Sequence, residues 1–100
     1  MRRIHRMLWT AGLVVAVAGR TAWAADGEAR VRRRVAQLCG ESDLLIAVGG
    51  DNSITFPIAQ GAGAQGLITL DAHFDVRDGI SNGSPVRRLV EEGGFDPRRI

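Results

Sequence analysis

The sequence predicts an α/β fold, a parallel sheet flanked by helices, present only in part. Three observations point there. Two short, largely apolar runs, Leu44–Val48 and Gly66–Leu70, each end at a polar cluster. Segments with helical spacing precede and follow them. The order strand, helix, strand, loop, helix is that of a βαβ unit, in which a crossover helix joins parallel strands.

Residues 1–24 allow two readings. Met1–Met7 is Arg-rich, Leu8–Gly19 is apolar, and Ala22-Trp23-Ala24 precedes Ala25-Asp26. That order matches a secretory signal with an A-x-A cleavage site, and the apolar run is too short to span a bilayer as a helix. Alternatively, the Val-rich stretch Ala11–Ala18, closed by Gly19, is a damaged first strand of the same sheet. The first reading implies export, the second a cytoplasmic protein. Residues 25–100 then carry the partial α/β domain.

From Asp26 to Gly40 the apolar residues Ala29, Val31, Val35, Ala36, Leu38 and Cys39 recur at helical spacing, with Arg30 and Arg32–Arg34 as a solvated face and Gly40 as the stop. Leu44–Val48 is apolar without alternation, the mark of a strand covered on both sides, and Gly49-Gly50 closes it. Ser53–Ala62 reads as a short helix capped by Asn52 or Ser53, with Pro57 in its early turns. A second strand, Gly66–Leu70, ends on Asp71. After a Gly/Ser/Asn-rich loop, Ser84–Gly93 reads as a helix with Pro85 near its start.

Charge placement argues against a nucleic-acid partner. The chain of 100 residues has a formal charge of +2, and all 13 basic residues are Arg. Four of these lie in the first 24 residues, which hold no acid, so the body of the chain is slightly acidic. Phosphate-backbone binding needs a clustered basic face, which a slightly acidic body does not favour. No membrane partner is expected either. Cys39 stands alone, so it forms no internal disulfide and suits a small buried apolar position.

Chemistry is expected where both strands end, since open α/β sheets bind ligands outside the carboxyl ends of their strands. Adjacent parallel strands would set Gly49-Gly50-Asp51-Asn52 beside Asp71-Ala72-His73-Phe74-Asp75. Asp71, His73 and Asp75 alternate, so an extended stretch would project them to one side. Two carboxylates and an imidazole suit Mn²⁺ or a similar divalent ion better than a thiolate-seeking one. A pair of such ions about 3.5–4 Å apart holds a hydroxide nucleophile at neutral pH, so no Ser or Cys nucleophile is needed. Asp51 is expected to orient a ligand or the turn.

Three segments, Gly49-Gly50-Asp51-Asn52-Ser53-Ile54, Asp71-Ala72-His73-Phe74-Asp75 and Ser81-Asn82-Gly83-Ser84-Pro85-Val86, are similar in order and spacing to the series GGDHS, DAHxD and HGxPf. That series belongs to the ureohydrolases: arginases, agmatinases and formimidoylglutamases. The resemblance covers about half the chain, from Leu44 to Leu89. It implies an arginase-like α/β/α fold, two Mn²⁺ ions, a homo-oligomer and hydrolysis of linear C–N bonds in guanidino or formimino compounds. It implies metal ligation by Asp71, His73 and Asp75.

Three departures qualify this. Asn52 stands where many members place a metal-binding His, and an amide oxygen is a weaker ligand, so one ion is expected to bind loosely or not at all. Asn82, expected with Arg77 to bind the substrate, stands where a His commonly precedes the Gly of the third motif. The later metal-binding D-x-D pair falls beyond Ile100, so little or no hydrolase activity is expected of these residues alone, as in a non-catalytic remnant. Arg77, two residues beyond Asp75, suits a carboxylate-bearing substrate, and with Asn52 and Asn82 it is most similar to formimidoylglutamases. A salt bridge from Arg77 to Asp75 or Asp78 is the simpler alternative. A metallophosphoesterase also uses D-x-H and Gly-Asp strand ends, but its D-x-H comes first and a G-N-H follows, unlike the order here.

Overall fold

The structure, a computed structural model, describes residues 13–15 and 25–100. Its first element, β1 (Leu13–Val15), falls within the Val-rich stretch and pairs in parallel with β2 (Ile46–Val48), Leu13 opposite Ile46 and Val15 opposite Val48. The choice between signal and strand for the rest of residues 1–24 lies outside the described residues.

Between the strands runs α1 (Ala25–Glu41). Asp26 and Glu28 sit in its first turn, where the helix dipole favours negative charge. Val35 and Leu38 are buried, while Arg30 and Arg32–Arg34 are exposed, as the helical spacing requires. Cys39 is half-buried. Gly40 does not end the helix. The last turn runs through it to Glu41, and the Ser42 hydroxyl donates to the Leu38 carbonyl at 2.6 Å, satisfying a group the helix end would leave open.

β2 leads through Gly49-Gly50 into a 3₁₀ turn, Asn52–Ile54, and then α2 (Thr55–Gly61). The cap is Asp51 rather than Asn52 or Ser53: its Oδ1 accepts from the Ser53 N–H at 2.7 Å. Asn52 is unavailable because its side chain is bonded elsewhere. Pro57 sits at the third helical position, where no N–H is needed. α2 crosses α1 closely at Gly61, where an added Cβ would lie 2.5 Å from the Arg32 carbonyl oxygen and 2.9 Å from Val35 Cβ.

The expected strand at Gly66–Leu70 does not form a ladder. A strand needs a neighbour for its N–H and C=O groups, and among the described residues this stretch has none beyond Leu67 N–H, which donates to Arg99 O at 2.9 Å. Leu67 packs on the core, whereas Ile68 and Leu70 are 91% and 99% exposed. β2 likewise is exposed rather than covered on both sides. The helices pack chiefly on one another instead of flanking the strand pair. A three-residue ladder offers too little apolar face to compete with the helical contacts.

The core lies between α2 and α3 (Pro85–Glu91): Phe56, Ala59, Leu89 and Phe95, with Ala64 and Leu67 against it. Ser84, fully buried, sits at the N-cap, and Pro85 opens the helix with its fixed φ. Arg88, only 6% exposed, meets Glu28 of α1 through two bonds of 2.6 and 3.1 Å and lies 3.9 Å over the Phe56 ring. Bonding to Glu28 first, then to Glu92, holds the guanidinium charged more firmly than usual, against its burial. A second 3₁₀ turn, Pro97–Arg99, ends the chain with Asp96 as its cap. No helix among the described residues is long and apolar enough to cross a membrane.

Candidate functional site

The three motif segments meet at one polar junction. Asn52 Nδ2 donates to Asp75 Oδ2 at 2.7 Å and to the Asn82 carbonyl at 3.2 Å. Its Oδ1 accepts from the Thr55 hydroxyl at 2.7 Å. Asp75 is buried, with φ of 55°, a left-handed conformation that Asp tolerates better than most residues. Its carbonyl accepts from the Arg87 N–H at 3.2 Å, which anchors the loop to α3.

That backbone turn corrects the expected convergence. In an extended stretch Asp71, His73 and Asp75 would share a side, but the chain bends at Ala72-His73 and again at Asp75. Asp71 Oδ1 accepts from the His73 N–H at 2.9 Å and lies 3.5 Å from His73 Nδ1, while Asp75 turns away to Asn52. Among the described residues no group of three His, Cys, Asp or Glu side chains is placed to hold a metal ion.

The two Mn²⁺ ions that the resemblance implies would therefore be fitted only in part. Asp71 and His73 offer a carboxylate and an imidazole side by side, donors suited to one divalent ion. The Asn52–Asp75 position offers an N–H donor where a ligand oxygen would be required.

A cleft of about 600 Å³ opens beside the junction, lined among others by Asp71, His73, Asp75, Arg77 and Asn82. Arg77 is exposed, and its N–H donates to the Gly83 carbonyl at 3.0 Å. Its side chain lies along Gly83, where an added Cβ would meet Arg77 Cδ at 3.0 Å. Among the described residues it forms no salt bridge; Asp78 pairs with Arg87 at 2.6 Å instead, and Asp75 with Asn52. Thr55, Ser81 and Ser84 were not expected to matter here. Thr55 orients the Asn52 amide, while Ser84 Oγ accepts from Ser81 N–H at 2.7 Å and shapes the turn carrying Asn82. A Thr three residues after an Asn, and a Ser-x-x-Ser before a helix, were the available signals.

The arginase-family model matches residues 9–100, nearly the whole sequence. The chain belongs to the arginase family. It is 36% identical over 84 residues to the mitochondrial agmatinase of Gallus gallus, covering 75% of this chain and 25% of that one. The mitochondrial guanidino acid hydrolase of Homo sapiens is 32% identical over 84 residues, 75% of this chain and 24% of its own. The formimidoylglutamase of Halobacterium salinarum is 36% identical over 78 residues, 69% of this chain and 26% of its own. No solved structure matches. The chain thus spans about a quarter of the length of these relatives. Membership implies an α/β fold, of which the described residues show helices and one parallel strand pair. It also sets aside the metallophosphoesterase alternative.

Proposed function

We propose that this chain forms one wall of a ureohydrolase site that takes linear amidines bearing a carboxylate, formimidoylglutamate or a guanidino acid, and cleaves a C–N bond in them. The observation that carries this is Arg77. It lines the cleft beside Asp71 and His73 without a protein carboxylate partner among the described residues. A guanidinium fork pairs with a carboxylate in bidentate fashion, and agmatine offers none. Relatives named for guanidino acids and for formimidoylglutamate agree with that class, while the agmatinase relative is at least as similar.

In this reading Arg77 grips the substrate carboxylate, and its backbone bond to Gly83 holds it against the third motif. The amidine end then reaches Asp71 and His73. A divalent ion such as Mn²⁺ held there would supply a water activated at neutral pH. The non-catalytic reading is favoured by the side chains bonding to one another at Asn52–Asp75.

Calorimetric titration of the protein with a guanidino acid, formimidoylglutamate and agmatine, with urea or formamide release followed in parallel, tests the proposal. The two carboxylate-bearing ligands are expected to bind more tightly than agmatine. Arg77→Ala should weaken them by about 10–100-fold, the value of a hydrogen bond to a charged group, roughly 1.5–3 kcal/mol. Agmatine binding as tightly as the acids, or an Arg77→Ala variant that binds them unchanged, overturns it. Binding without turnover would select the non-catalytic reading.

A further inference from the structure

We infer that the Asn52 amide stands in for a cation at Asp75, latching the three motif segments together without metal, so that the site holds no more than one divalent ion. Asp75 Oδ2 and the Asn82 carbonyl are acceptors only, so the group that faces both must be the NH₂ end of Asn52. The orientation of the amide is thereby fixed. Its oxygen, the one atom able to ligate a metal, is turned the other way and already accepts from the Thr55 hydroxyl.

Both N–H donors of the side chain, and one of the two lone pairs of its oxygen, are thus committed inside the protein. Asp75 is buried, and a buried carboxylate needs a donor or a cation. The Asn52 N–H at 2.7 Å meets that need with a charge-assisted bond. For an ion to enter here, the amide must rotate, which would turn its oxygen toward the Asp75 carboxylate and the Asn82 carbonyl. Asp71 and His73 lie outside this network and stay available for a single ion. The inference does not depend on turnover, since its readouts are stoichiometry and melting.

The test is Mn²⁺ titration of the protein by calorimetry and electron paramagnetic resonance, with thermal melts in EDTA. Wild type is expected to take up one ion or none and to keep its Tm in EDTA. Asn52→Ala in EDTA should lower Tm by about 5 °C or more, the scale on which one such bond shifts a small domain. Asn52→Asp sets two carboxylates together, so it should melt low in EDTA and be rescued by Mn²⁺. Two ions bound by wild type would overturn the inference. A wild-type Tm that falls in EDTA as far as the Asn52→Ala variant would do the same. Should Asn52→Ala not fold, the wild-type stoichiometry and EDTA melt still decide.

Discussion

At Asp75 one residue carries two demands that oppose each other. Its φ of 55° is uncommon for a residue with a Cβ, and its carboxylate is buried on the Asn52 amide. Asp75→Ala should therefore cost about 2–3 kcal/mol, combining left-handed strain with an orphaned donor. Asp75→Asn keeps both the tolerance for that conformation and an acceptor oxygen, and should cost less than half as much. Urea unfolding of the two variants checks this; equal losses would place the effect in the charge instead. The sequence made the D-x-H-x-D string visible and marked Asn52 as a departure. It did not reveal that Asp75 leaves the row, because alternation holds only while the backbone stays extended. Asn52 was equally opaque, since whether an amide presents oxygen or nitrogen depends on partners 23 and 30 residues away.

Among the elements, the helices were legible because their pattern is local. Val35 and Leu38 point inward, the Arg run points outward, and Pro85 opens α3. Strand Gly66–Leu70 was not, because composition shows a segment able to join a sheet while a ladder needs a neighbour. Two helical glycines separate packing from propensity. Gly61→Ala drives a methyl into the α1 backbone at Arg32 and should cost about 1–3 kcal/mol as an overpacked helix crossing. Gly40 lies in the last turn of α1 with nothing within 4 Å of an added Cβ. Gly40→Ala should stabilise by about 0.5–1 kcal/mol, since alanine loses less backbone freedom in a helix. Chemical denaturation of both variants tests the pair, and destabilisation by Gly40→Ala would show that the helix end is not as described.

Across the whole molecule, two features decide how the described body holds together and what it leaves open. The first is the Arg88–Glu28 bridge between α3 and α1, hidden from a sequence reading because its partners lie 60 residues apart. Arg88→Met should cost about 3–5 kcal/mol, as it strands a largely buried Glu28 carboxylate. Adding Glu28→Gln should recover part of that, and a double variant no better than the single would argue against coupling. The second is apolar surface. Leu44, Ile46, Val48, Ile68, Leu70 and Phe74 are all more than half exposed. A segment with few backbone partners among the described residues and with exposed Ile and Leu is a template for pairing with another chain. The 100-residue chain should therefore self-associate at concentrations on the order of 10 µM, visible as fast-sedimenting species and dye binding to apolar surface. Ile68→Lys with Leu70→Lys should reverse this without moving the core, because neither side chain packs against Phe56, Ala59, Leu89 or Phe95. A monodisperse monomer in the wild type, or association that persists in the double-Lys variant, would show that this edge is not what drives assembly.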